Sequence, residues 1–157
     1  MNPRLRQLHE ALIDLAGMMN RPQRDDDLLS EAGVALDRAL FPLLVRIERR
    51  GPIGVVELAE NAGRDHSTVS RQVAKLEELG LVARRASATD GRVREAVVTD
   101  KGRTMTDALD AARERLAGPI LERWSEQDLD DLVRLLRRFA DDLAHRPSKP
   151  EADWPGH

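Results

Sequence analysis

Residues 55–103 read VVELAENAGRDHSTVSRQVAKLEELGLVARRASATDGRVREAVVTDKGR, and this stretch decides the fold. Val55, Leu58, Ala59 and Ala62 fall at i, i+3, i+4 and i+7, one face of a helix, and Gly63 suits a left-handed C-terminal position. Asp65 is placed to cap a second helix by accepting from a free first-turn amide, and Val69, Val73, Leu76 and Leu79 give that helix its apolar stripe. Gly80 stops it. Leu81 and Val82 then lead into Ala83-Arg84-Arg85-Ala86, and a second β-rich run spans Val93 to Thr99, with polar turn residues Thr89 to Gly91 between them. Helix, turn, helix and an arginine-tipped hairpin in that order describe a winged helix-turn-helix. The expected fold is mainly α with a small β-hairpin wing.

The second helix has two faces with different chemistry. With Val69, Val73 and Leu76 inward, Ser67, Arg71, Ala74, Lys75 and Glu78 point outward, Thr68 and Ser70 lie on the flanks, and Gln72 falls nearer the core side. Arg forks onto guanine, Ser and Thr reach bases or phosphates, and Lys neutralises backbone charge, so this face suits the major groove of duplex DNA. At the hairpin tip, Arg92 is placed to enter the narrow, electronegative minor groove, with Asp90 positioned to hold it by a charge-assisted hydrogen bond. Taken alone, the helix is more simply an amphipathic helix with a solvated face and the tip a solvated Asp-Gly turn. Their conjunction reverses the weighting. The expected DNA-binding set is Ser67, Thr68, Ser70, Arg71, Ala74, Lys75, Arg84, Arg85, Asp90, Arg92 and Arg94.

Charge is distributed to match. The 157 residues carry a net charge of −3. Residues 64–94 nevertheless hold seven basic side chains (Arg64, Arg71, Lys75, Arg84, Arg85, Arg92, Arg94) against four acidic ones (Asp65, Glu77, Glu78, Asp90), an excess of +3 that leaves −6 on the remainder. A local basic footprint on an otherwise acidic protein fits phosphate contact by one face. None of the four aromatics (Phe41, Trp124, Phe139, Trp154) lies in the basic segment, which argues against base stacking on single strands or RNA.

The combination Glu57-Leu58-Ala59, Ser67-Thr68-Val69-Ser70-Arg71, Leu76-Glu77-Glu78-Leu79-Gly80-Leu81-Val82, Asp90-Gly91-Arg92 and Thr99-Asp100-Lys101-Gly102-Arg103 resembles the MarR family of bacterial transcription regulators. The likeness is sharp over about a third of the chain, Val56 to Gly102, and architectural elsewhere. It implies a homodimer whose body is built from helices of both chain ends, a reading helix from Asp65 to Leu79 in the major groove and a wing in the minor groove. It also implies a small-molecule pocket where the dimer body meets the reading unit, for which Leu12, Ala16, Phe41, Val45, Met105 and Leu109 are the candidates. All six are apolar and read equally as core, and a pocket made of them suits a hydrophobic or aromatic effector. Repression of transcription is the family's default.

Outside the reading unit, Leu5, Leu8, Leu12, Leu15 and Met19 alternate at three and four, and Leu129, Leu132, Leu136, Phe139 and Leu143 repeat that rhythm. One reading helix buries too little on DNA for high specificity, whereas two copies about 34 Å apart read both halves of a palindrome. The stripes therefore point to an obligate dimer with an interface above roughly 2,000 Å². Ser125, three residues before Asp128, marks the start of the last helix. Thr99 is placed to cap a helix carrying Met105, Leu109, Ala112 and Leu116, which Gly118-Pro119 should break or kink. Residues 36–49 form another helix candidate, bent or delayed by Pro42, and Asp25-Asp26-Asp27 reads as a solvated loop or helix cap. The resulting division is 1–35, N-terminal dimerisation helix and loop; 36–103, winged helix-turn-helix; 104–146, C-terminal dimerisation helices; and 147–157, a frayed tail with three prolines.

Other chemistries lack their residues. There is no cysteine, so disulfides, thiolate metal sites and cysteine-based peroxide sensing are excluded. The histidines His9, His66, His145 and His157 include no pair at metal-binding helical spacing, and His66 beside Ser67 has no acid placed to orient it, so neither a metal, a cofactor nor catalysis is expected. No apolar run is long enough to span a bilayer and the start shows no signal-peptide pattern, which makes the expected location cytoplasmic. A winged-helix module that binds protein instead of DNA remains the alternative at this stage.

Overall fold

A computed structural model describes residues 2–145; the expected frayed tail at 147–157 lies outside them. Seven helices and three short strands follow one another as α1 (Pro3–Met19), α2 (Pro22–Ala32), α3 (Phe41–Arg50), β1 (Ile53–Gly54), α4 (Val55–Ala62), α5 (His66–Glu78), β2 (Val82–Ala86), β3 (Arg94–Val98), α6 (Asp100–Leu121) and α7 (Glu126–Ala144). The chain falls into two units, residues 1–116 and residues from 117 onward.

The first unit is built on the helix pair read from the sequence. Leu58 and Ala59 of α4 and Val69, Val73 and Leu76 of α5 are buried together with Leu43, Leu44 and Ile47 of α3, Ile53, Leu81, Val82 and Ala96. Gly63 ends α4 at φ 62°, where a side chain would be strained. The Asp65 side chain caps α5 by accepting from the Thr68 amide. A second, smaller cluster joins Leu29 of α2, Phe41 and Val45 of α3 and Leu109 of α6. Helix α3 thus packs with both clusters. Its first residues are Phe41 and Pro42, so Pro42 delays the start and sits in the first turn, where no intrahelical donor is lost.

The wing is part of a three-stranded antiparallel sheet of order β1-β3-β2, where the sequence indicated a two-stranded hairpin. Ile53 pairs with Ala96 and Gly54 with Glu95, while β2 and β3 pair from Val82–Val98 to Ala86–Arg94. Two residues are too few for strand periodicity to announce β1.

Three further readings are corrected. Asp25, Asp26 and Asp27 lie inside helix α2, where a loop was expected, and carboxylates at the N-terminal end of a helix are favoured by the free amides and dipole there. Helix α6 runs through Gly118 and Pro119 to Leu121 without a break. A proline inside a helix removes one amide donor, which a long helix tolerates, and the chain leaves the helix only after Leu121. Asp90 holds Arg92 by its backbone amide, at 3.1 Å, with no bond to the guanidinium.

The N-terminus of α6 is fastened to the end of α5. Thr99 Oγ1 accepts from the Gly102 amide at 3.1 Å and donates to the Gly80 carbonyl at 2.6 Å, and Lys101 Nζ donates to the Leu79 carbonyl at 2.8 Å. Gly102 lies so close to the Leu81 carbonyl that any Cβ would collide with it. Farther along α6, Arg115 donates to the Glu31 carboxylate at 2.6 Å and Glu31 carbonyl at 3.0 Å, and Asp110 accepts from Arg49 at 2.8 Å.

Helices α1 and α7 contain no buried residue. Leu5, Leu8 and Leu15 of α1 are exposed and Leu12 is half-buried; on α7, Leu136 and Leu143 are exposed while Leu129, Leu132 and Phe139 are half-buried. Ser125 caps α7 by accepting from the Asp128 amide at 3.1 Å.

Candidate nucleic-acid interface

Helix α5 presents the polar face that its periodicity implied. Ser67, Arg71, Ala74, Lys75 and Glu78 are exposed, Thr68, Ser70 and Gln72 are half-buried, and Val69, Val73 and Leu76 are fully buried. The first turn is organised by Asp65. Its Oδ2 accepts from the Ser67 hydroxyl, from the Thr68 amide at 3.1 Å and from the Thr68 hydroxyl at 3.3 Å. The Ser67 hydroxyl, followed by the Thr68 amide, holds the Asp65 carboxyl below the usual carboxylate range. Arg71 leans back to donate to Thr68 Oγ1 at 3.5 Å, and Lys75 pairs with Glu78 at 3.3 Å.

The wing tip is tied by short-range bonds. Ser87 and Val93 close the hairpin through a 2.8 Å amide–carbonyl bond, and Ser87 Oγ accepts from the Thr89 and Asp90 amides at 3.3 and 3.4 Å. Arg92 and Arg94 are exposed at and beside the tip. Among the described residues neither guanidinium, nor that of Arg85, is ion-paired. Arg84 differs from the other expected contacts. It is half-buried and its Nε lies 3.3 Å from Glu77, off hydrogen-bonding alignment, so its charge is already partly spent inside the unit.

One residue escaped the sequence reading. Arg64, in the turn between α4 and α5, donates from one guanidinium nitrogen to the Ala39 carbonyl and to Gln72 Oε1, both at 3.2 Å. Ala39 and Gln72 line a surface cleft of about 420 Å³ together with Asp37, Leu40, Thr68, Arg71 and Lys75, so Arg64 braces one flank of the polar face. Burial, with Arg50 and Arg64 nearby, pulls the Arg46 guanidinium below its ordinary value, which marks a local concentration of positive charge. An unassigned arginine in a glycine-preceded turn was the available signal. No group of three or more His, Cys, Asp or Glu side chains among the described residues is placed to hold a metal.

Residues 36–93 match the MarR family. A helix-turn-helix transcriptional regulator of Bacillus subtilis, YxaD, is 36% identical over 104 residues, covering 66% of this chain and 73% of its own. The chain belongs to the MarR family. This MarR regulator has its fold in common with a MarR family protein from Bacillus stearothermophilus at 25% identity and a TM-score of 0.69, covering 92% of this chain and 99% of that one. CouR from Rhodococcus jostii RHA1, solved bound to p-coumaroyl-CoA, aligns at 24% identity and a TM-score of 0.65 over 92% and 95% of the two chains. The MarR protein is a DNA-binding transcription regulator and no enzyme. No helix among the described residues is long and apolar enough to cross a membrane.

The six effector-pocket candidates are not brought together as a set. Phe41, Val45 and Leu109 pack in the second cluster, Met105 packs against the first, Leu12 is half-buried and Ala16 is exposed.

Proposed function

We propose that this MarR regulator is a cytoplasmic repressor that binds a palindromic operator as a homodimer and is released by a small hydrophobic or aromatic effector. The observation that carries the reading is the exposed face of α5, with Ser67, Arg71, Ala74 and Lys75 directed to solvent from a helix whose other face is anchored by fully buried Val69, Val73 and Leu76. That face enters the major groove, with Thr68 and Ser70 at its margins. Arg92 reaches the minor groove, and Arg85 and Arg94 with Asp90 at the tip flank the backbone. Arg84 contributes through the wing's shape and field more than by direct contact, because Glu77 already engages it.

Dimerisation is supported by the leucines that α1 and α7 leave in water. Leu5, Leu8, Leu12 and Leu15 on one helix, with Leu129, Leu132, Leu136, Phe139 and Leu143 on the other, form the seam. Segments 1–35 and 104–146 supply the body around the 36–103 reading unit. Removing such stripes from water across an interface above roughly 2,000 Å² provides the driving force.

The effector enters between Leu12, Ala16, Phe41, Val45, Met105 and Leu109, prising apart side chains that pack without it. Its release mechanism is a population shift toward a spacing of the two reading helices that misses successive grooves, which requires tighter binding to that state. CouR, which holds p-coumaroyl-CoA, supports the choice of an organic effector.

Titration of the purified protein against its own upstream promoter and a scrambled duplex, at two salt concentrations, tests the proposal. Tight promoter binding, a large preference over the scramble and a steep fall of log affinity with log salt are expected. Weak and equal binding to both duplexes, or a monomer in sedimentation at micromolar concentration, overturns it in favour of a protein-binding winged helix.

A further inference from the structure

We propose that Asp65 makes Ser67 an acceptor-only reader, so that each half-site carries an adenine or cytosine at the position facing the start of α5 on the contacted strand. A serine hydroxyl is ordinarily indifferent, because it donates through its single hydrogen or accepts through its lone pairs. Here that hydrogen is committed to the Asp65 carboxylate. A bond to an ionised acceptor is about twice as strong as a neutral one, and Asp65 is held in its charged form at neutral pH by the bonds it receives.

What Ser67 retains is two lone pairs on an exposed oxygen in the first turn of a helix whose N-terminal residues meet base edges. In the major groove the donors it can satisfy are the adenine N6 and cytosine N4 amino groups. Guanine offers N7 and O6, thymine offers O4 and phosphates offer oxygens, all acceptors, and the Asp65 charge disfavours each of them further. Thr68 does not compete for this role. Its hydroxyl hydrogen is directed at the same carboxylate and its oxygen receives Arg71, so it orients a neighbour and reads nothing itself.

The inference rests on the sequence-specific DNA reading proposed above, and selection from a randomised duplex library separates the two. Wild type is expected to enrich adenine or cytosine over guanine or thymine at one position per half-site by about fivefold or more. Ser67→Ala should lose that preference while keeping the others. Asp65→Ser, which retains a capping oxygen but releases the Ser67 hydrogen, should admit guanine or thymine there. A wild-type preference for guanine or thymine at the Ser67-dependent position overturns the inference, as does an Asp65→Ser protein, folded by thermal melting, with the wild-type pattern. If Asp65→Ser does not fold, wild type against Ser67→Ala still decides, since the identity of the enriched base is the readout. Wild type that enriches no sequence removes the sequence-specific reading and the inference together.

Discussion

Truncating the two faces of α5 separately should divide stability from recognition. Leu76 is fully buried between α3, α4 and the sheet, so Leu76→Ala withdraws three carbons from a closed core. At about 0.8 kcal/mol per methylene the transfer loss is about 2.4 kcal/mol, and the cavity left behind raises the total to roughly 3 to 4 kcal/mol. For a chain of this size that lowers Tm by about 6 to 16 °C. Arg71 is exposed and its long bond to Thr68 is its only hydrogen bond among the described residues, so Arg71→Ala should change stability by no more than about 0.5 kcal/mol. It should instead cost about 1 to 3 kcal/mol of operator affinity, five- to 150-fold, and relax one base position. Circular-dichroism melts at one fixed protein concentration and fluorescence-anisotropy titrations at 10 °C measure both quantities. A Tm loss from Arg71→Ala matching that of Leu76→Ala, or a fully folded Leu76→Ala protein with the larger affinity loss, refutes the division of faces.

Arg92→Ala should weaken binding to all duplexes alike and reduce the slope of log affinity against log salt by about one, measured by anisotropy over a salt series. Asp65 has a folded-state pKa below its unfolded value near 3.9, so its contribution to stability is present above that value and lost as pH falls through the folded one. Urea midpoints of wild type and Asp65→Ala should accordingly differ at neutral pH and converge in acid below about pH 4. The double substitution Leu8→Asp, Leu136→Asp should produce a folded monomer in sedimentation velocity that retains weak binding to a half-site and loses the advantage of the full palindrome.

The reading unit was legible because its signals are local. Val55 to Ala62 and Val69 to Leu76 each repeat at helical spacing, and Asp65 and Gly63 carry cap chemistry that needs no partner from elsewhere. Helix α2 was not legible, because three consecutive aspartates mask an apolar side represented by Leu28, Leu29 and Ala32 alone. Strand β1 exists only through its pairing to β3, and a two-residue strand carries no period. The Arg84–Glu77 pair joins residues on opposite sides of the turn at Gly80, and Arg64 acts through Ala39 and Gln72. Such contacts are products of tertiary structure, and charge counting along the chain assigns Arg84 the same freedom as Arg92.

Strand β2 has β3 on one side and no strand on the other. An open edge of unpaired amides and carbonyls is a template for a stray chain, and the wing has to stay open to meet its target. Arg84 and Arg85 stand side by side on this edge, and a second copy approaching edge to edge would bring its own arginines against them. The positive charge that draws the wing to nucleic acid therefore also keeps unoccupied molecules from stacking into fibrils, a protection that added salt should erode at high protein concentration.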